Sequence, residues 1–286
     1  MSGSSGFASP LSVEETCRSI SSKLASVGYQ ECLNAKLVDP QFYSCDMVPL
    51  LYKEYPPLKS RRPQSRVLVV GGTHGDEYAS VSVVFKWMKI LDVHHSGLFH
   101  WVFVPLLNPD GLLRHDSTRT NASGIDLNRN FPSPMWQEVG YQRWVEDAGE
   151  NPRYYPGSEA MSEPETLFLV EMIRKFAPDA IISVHTPLGL VDFDGPGPAP
   201  SSIANLKLNR LGNFPGTLGN FAGVHLGIPV ITLELSSSSR MPSSEVISAM
   251  WMDLVRWLVN NTPAKDRSEY LKNARNQDFR MESFGK

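Results

Sequence analysis

The stretch Val67-Leu68-Val69-Val70-Gly71-Gly72-Thr73-His74-Gly75-Asp76-Glu77 constrains the fold more than any other part of the chain. Four apolar, mostly β-branched residues in a row read as a buried strand, and the Gly-Gly pair ends it. A helical pattern follows from Glu77, with Val81, Val84, Phe85, Met88 and Leu91 at the spacing of one helix face. A strand passing straight into a helix is the unit of an α/β fold, and ligands bind at the carboxyl ends of such strands. His74 and Glu77 lie three residues apart on that turn. An imidazole and a carboxylate placed this way can converge on one point, which is half of a zinc site. Standing alone, the same pair also describes a surface histidine beside a solvated glutamate.

Further strands are read at 45–55, 99–105, 179–184 and 229–235, and helices at 77–91, from 162 to before Pro178, and at 244–259. Ser12-x-x-Glu15 is a capping-box pattern, and the stripe Val13, Cys17, Ile20, Leu24, Val27 predicts a packed helix over 12–28. Strands alternating with helices predict a single α/β domain over 11–262. Its sheet is mixed, mainly parallel and twisted, with helices on both sides. Residues 1–10 read as a disordered start or a tag, and 263–286 as a polar tail. Two long loops are expected, at 112–160 and 186–224; segments of that length in a compact domain tend to be functional. Asn108-Pro109-Asp110-Gly111 reads as a turn.

At 286 residues the chain can bury a sizeable core, and 41% hydrophobic with 20% charged residues is ordinary for a globular protein. A net charge of −3 supplies no basic field for nucleic acid or an anionic membrane, and no apolar run approaches spanning length. Cys17, Cys32 and Cys45 are few and odd in number. They suit a reduced compartment better than a disulfide framework, so a cytoplasmic protein is expected, or a periplasmic one if a leader is removed.

His185 closes the strand Ala180-Ile-Ile-Ser-Val184, which makes it a natural third ligand beside His74 and Glu77. Two nitrogens and one carboxylate leave the fourth zinc position open. Glu234 lies inside Val230-Ile-Thr-Leu-Glu-Leu235, where a buried carboxylate is costly unless it is paired or working, and a general base would be such work. On an edge strand the same residue would simply face solvent. Between Arg119 and Pro132 lies Asp126-Leu-Asn128-Arg129-Asn-Phe, a cluster of Arg and Asn donors suited to carboxylate recognition.

Taken together and in this order, His74-x-x-Glu77, Asn108-Pro-Asp-Gly111, Asp126-Leu-Asn-Arg-Asn-Phe-Pro132, His185 and Glu234 resemble the M14 (carboxypeptidase A-like) zinc carboxypeptidases over roughly residues 45–260. Within that family Arg119-x-Asn-Ala-x-Gly and Ser162-Glu-Pro-Glu-Thr166 look closest to bacterial murein peptide amidases, which cut the γ-D-glutamyl–meso-diaminopimelate bond. The resemblance implies one zinc ion per chain on His74, Glu77 and His185, with Glu234 as general base and then acid. It implies Arg119 as the group that polarises the scissile carbonyl, and Asn128 with Arg129 as the grip on the substrate's terminal carboxylate. Asp126 matches the carboxylate that orients the first histidine. The family's mobile tyrosine has no secure counterpart; Phe214 and Phe221 stand in the corresponding loop. For a diaminopimelate side chain, Asp192 or Asp194 is the candidate partner of the ammonium and Lys207 or Arg210 of the carboxylate.

The expected partner is therefore a small peptide. Two other readings compete: an N-acyl amino acid deacylase of the aspartoacylase or desuccinylase kind, and a non-catalytic peptide-binding module on the same fold. Asn-Pro-Asp-Gly and the full Asn-Arg-Asn-Phe-Pro favour the peptidase over the first. The joint presence of His74, Glu77, His185 and Glu234 counts against the second.

Overall fold

The apolar runs become strands of one sheet, and the stripes become helices laid over it. The computed structural model describes residues 9–58 and 62–262, so residues 1–8 and the tail expected over 263–286 lie outside it. Two helices come first, α1 (Val13–Lys23) and α2 (Tyr29–Asn34). Then follow β1 (Lys53–Tyr55), β2 (Ser65–Val70), α3 (Tyr78–His94), β3 (Phe99–Val104) and the short α4 (Pro109–Leu113). The chain continues through α5 (Gln142–Glu146), α6 (Pro164–Phe176), β4 (Ala180–His185), β5 (Leu190–Asp194), β6 (Ser202–Ile203) and β7 (Leu206–Leu208). β8 (Val230–Glu234) and α7 (Ser244–Asn261) complete it.

The eight strands form one sheet in the order β1-β3-β2-β4-β8-β5-β7-β6. The central four, β3, β2, β4 and β8, are parallel; β1 and β5 join them antiparallel. From β2 the chain crosses to β3 on one side, while β4 lies on the other. The strand order therefore reverses between β2 and β4, and at such a switch point the loops diverge and leave a crevice at the carboxyl ends. One face of the sheet packs under α1, α2, α3 and α7, with Val69, Phe103, Ile182 and Leu233 inward. The other packs under α6 and the segment from Leu218 to Ile228, with Leu68, Val70, Ile181 and Val230 inward. Central strands buried on both faces need the continuous apolar runs that mark them in the sequence.

Several local expectations are corrected. The capping box on Ser12 and Glu15 forms, but the helix expected over 12–28 stops at Lys23, and Gly28 caps a second helix, α2, that begins at Tyr29. The strand expected over 45–55 shrinks to β1, and Asn108 caps α4 instead of opening a plain turn. The loop expected over 186–224 holds β5, β6, β7 and the start of a π-helical turn, Gly219–His225; strands this short, broken by Asp, Ser and Lys, carry little apolar signal. Cys17 and Cys32 form a disulfide joining α1 to α2, against the expectation of reduced cysteines. Fifteen residues apart, they meet only because the two helices pack together, which spacing does not show. Cys45 is free.

Away from the crevice, Asp110, Glu163 and Glu165 are buried, with the Asn121 Nδ2 group donating to Glu163 at 2.7 Å and to Glu165 at 3.1 Å. Burial pushes the Glu165 carboxyl up to about 8, and the charges of Asp110 and Glu163 add to it. A carboxyl raised in the folded state loses stability as pH climbs from its unfolded value to its folded one, here from 4.5 to about 8. The unfolding midpoint of the wild type should fall across that window. Glu165→Gln should flatten the profile and gain on the order of a few kcal/mol at pH 8, worth roughly 2–4 °C each for a domain of this size. Thermal melts of both proteins between pH 5 and 8.5 check this; parallel profiles would contradict it.

Candidate active site

Three segments far apart in sequence deliver residues to one edge of the sheet, because β2, β4 and β8 are neighbours that point the same way. After β2 the chain turns through Gly72 at a φ of +62°, a conformation that favours glycine. A Cβ on Gly75 would collide with the backbone of Gly111, so only glycine lets this turn pass so close to α4. Glu77 caps α3. His74, Glu77 and His185, all buried, meet there. His74 Nδ1 lies 2.7 Å from one Glu77 oxygen, and His185 Nδ1 lies 3.2 Å from the other and 3.3 Å from His74 Nδ1.

The donor set fits a zinc ion. Four donors about 2.1 Å from one ion in a tetrahedron lie about 3.4 Å apart, close to the separations of the His185 ring. Two imidazole nitrogens facing each other across a carboxylate repel through their lone pairs unless a proton or a metal cation lies between them, and a cation satisfies both nitrogens and the carboxylate at once. The outward nitrogens are already engaged: His74 Nε2 lies 3.1 Å from Asp126, and His185 Nε2 lies 3.0 Å from the Ser183 hydroxyl. Such contacts fix ring orientation and leave the inward nitrogens for a metal. Burial opposes it, but His74 and His185 hold the Glu77 carboxyl well below the usual carboxylate range. Burial likewise opposes ionisation of Asp126, and Arg119 and His74 more than offset it.

Arg119 donates through Nε to Asp126 at 2.8 Å, and its Nη1 lies 3.7 Å from Glu77. Asp126 thus positions the guanidinium as well as His74. Glu234 is opposite His185 in the β4–β8 register and buried, so it does not sit on an edge strand. Burial pushes its carboxyl above the ordinary range, the Glu77 charge adding to this and His185 opposing. His74, Glu77, Arg119, His185 and Glu234 line one cavity of about 350 Å³ together with Asn128 and Arg129. Arg129 has no carboxylate in ion-pair contact among the described residues, and burial pulls its pKa below the ordinary guanidinium value despite the nearby Asp126 charge. Asn128 accepts from Leu218 N at 2.9 Å, tying the two walls together.

Asp192 and Asp194 line the same cavity, whereas Lys207 and Arg210 do not. Phe214 lines it, but Phe221 is buried away from it, stacked on Phe131. Sequence reasoning missed Tyr154, whose ring lies 5.3 Å from the Arg119 guanidinium in the cavity wall. It also missed Arg153, which pairs with Asp76 at 2.7 Å. Both come from a 3₁₀ turn, Pro152–Tyr154, inside an aperiodic stretch that offers no signal.

Comparison with known proteins agrees with this geometry. A model of the zinc carboxypeptidase family matches residues 53–191. Murein peptide amidase A of Escherichia coli K12 is 31% identical over 197 residues, 66% of this chain and 79% of that protein. The protein of the same name from Vibrio campbellii is 32% identical over 214 residues, 70% and 81% respectively. The crystal structure of a murein-tripeptide amidase from Escherichia coli O157 superposes with a TM-score of 0.57 at 26% identity, covering 76% of this chain and 91% of that one. Bovine thrombin-activatable fibrinolysis inhibitor shares the fold, with a TM-score of 0.62 at 17% identity over 94% of this chain and 98% of that one. Identity above 30% across about four-fifths of two relatives, joined to a matching family model, means that this chain belongs to the zinc carboxypeptidase family of hydrolytic enzymes.

Proposed function

We propose that the protein is an exopeptidase with one zinc ion on His74, Glu77 and His185, and that it releases the C-terminal residue of murein peptides at the γ-D-glutamyl–meso-diaminopimelate bond. The observation that carries the exopeptidase reading is Arg129, a cation in the cavity wall without a carboxylate in contact among the described residues. A partly buried charge left this way is costly, and a substrate's terminal carboxylate would complete it bidentately. Arg129 and Asn128 then hold the peptide so that only the bond next to its last residue reaches the row of His185 and Glu234. Zinc bound to the three ligands would supply Lewis acidity. Arg119, locked by Asp126, offers its remaining N–H donors to the carbonyl oxygen as negative charge develops on it. Glu234 takes the proton of the attacking water and passes it to the leaving amine, a transfer that its raised carboxyl suits.

Two relatives called murein peptide amidase A support the substrate half of this reading. The Cys17–Cys32 disulfide supports, for the compartment, an oxidising one such as the periplasm in place of the cytoplasm that cysteine usage suggests. Zinc-loaded protein is expected to cleave L-Ala-γ-D-Glu-meso-diaminopimelate at least tenfold better, in kcat/KM, than N-acyl-Phe or N-acyl-aspartate. A better rate on N-acyl-Phe would point to a general carboxypeptidase, and a better rate on N-acyl-aspartate to a deacylase.

A further inference from the structure

Asp76 and Arg153 line the cavity, yet neither holds the metal, moves a proton or grips the terminal carboxylate in the proposed function. They stand at one end of it. The strands beneath run in the order β2-β4-β8-β5, so β2 and β5 lie three strand spacings, about 14 Å, apart. Asp76 is on the turn that leaves β2, between His74 and Glu77. Asn128 and Arg129 belong to the other end: Asn128 accepts from Leu218 N, and the π-helical turn that follows, Gly219–His225, packs on β5 and β8. A peptide whose last residue is held there has its acyl part, on the far side of the scissile bond, over β2.

At that end a cation and an unfilled acceptor lie side by side. Arg153 Nη2 is 2.7 Å from Asp76 Oδ2, whereas Asp76 Oδ1 is buried without a hydrogen-bond partner among the described residues. The arginine comes from the 3₁₀ turn Pro152–Tyr154, whose start is fixed by the Asn151 side chain accepting from Arg153 N at 3.0 Å. Tyr154, on the same turn, places its ring 5.3 Å from the Arg119 guanidinium, so the turn is braced against the group aimed at the scissile carbonyl. Arg153 is half-exposed and makes no other ion pair among the described residues. A guanidinium carries five N–H donors, more than one carboxylate oxygen can use.

The γ-linkage decides what a substrate brings to this place. When the scissile carbonyl is the side-chain carbonyl of a glutamate, the α-carbon of that residue lies three C–C bonds upstream, about 4 Å away when extended. It bears a free carboxylate and an N–H together, whereas an α-linked peptide has only neutral backbone at that distance. A guanidinium fork suits the carboxylate, and an unfilled carboxylate oxygen suits the N–H. We infer that Arg153, held by Asp76, is the specificity-determining residue on the acyl side of the cut and binds the free α-carboxylate of the γ-linked glutamate. This deepens the proposed function and rests on it for the γ-linkage.

The test uses zinc-loaded full-length protein and two peptides, L-Ala-γ-D-Glu-meso-diaminopimelate and the same peptide with a carboxamide in place of the glutamate α-carboxylate. The wild type should prefer the free carboxylate by on the order of 10–100-fold in kcat/KM, the worth of a hydrogen bond to a charged group, mostly through KM. Arg153→Gln should bring that ratio close to one with little change in kcat, and Arg153→Lys, which keeps the charge, should keep part of the preference. A half-exposed ion pair adds little to stability, so both variants should fold. Equal rates on the two peptides in the wild type would overturn the assignment whether or not a variant folds, and would leave the murein reading standing. A ratio unchanged in Arg153→Gln would overturn it as well. Turnover of neither peptide, with N-acyl-Phe cleaved by the same preparation, would refute the murein reading and this assignment together.

Discussion

Glu234→Gln should leave the protein folded and its zinc content unchanged while lowering kcat by on the order of 10²–10⁴-fold, the usual worth of a positioned acid–base group. The amide keeps the size of the side chain and can still accept the Leu188 N–H, which lies 3.5 Å from Glu234 Oε2. What it loses is the capacity to take and return a proton. Glu234 is opposite His185 in the register but is not among the three donors that converge on one point, so its substitution should not disturb metal retention. Zinc stoichiometry and kcat measured on one preparation separate the two effects. A variant within tenfold of the wild type would remove Glu234 from the proton transfer, and a variant that had also lost zinc would make it a ligand.

His185→Ala is expected to lower retained zinc from about one per chain to a small fraction after dialysis, and to remove activity with it. The imidazole is one of the three donors that converge among the described residues, and its Nδ1 lies 3.3 Å from His74 Nδ1 and 3.2 Å from Glu77. Binding to the folded state alone stabilises it by RT ln(1 + [L]/Kd), about 4 kcal/mol at a thousand times Kd. Zinc should therefore raise the unfolding midpoint of the wild type and leave that of the variant nearly in place. Apo protein should lose little in the exchange, since two facing nitrogens become one. Full zinc occupancy in His185→Ala would show that the ligand set is drawn wrongly.

Much of this architecture is legible along the chain. Strands β2, β3, β4 and β8 stand where the apolar runs lie, because strands covered on both faces are mostly apolar and carry their ionisable residues near their ends. His185 and Glu234 stand at such ends, so their positions alone single them out. β5 is different. It pairs antiparallel with β8 and alternates Asp192 and Asp194 toward the cavity with Val191 and Phe193 toward the core, too short a pattern to stand out between two Gly/Pro-rich stretches. Tyr154 and the Asp76–Arg153 pair lie on an irregular segment whose path is set by what it packs on.

The residues by themselves determine the strand–turn–helix at 67–94, the parallel centre of the sheet, and which histidines and carboxylates stand at strand ends, because periodicity and the cost of buried charge are local properties. Only the tertiary structure decides that Asp192 and not Lys207 or Arg210 meets the cavity, that Asp126 serves His74 and Arg119 together, and that Cys17 reaches Cys32. Each of these depends on the register of strands or the packing of helices distant in sequence. Register is set by which faces can be buried together, and that is a property of the assembled core.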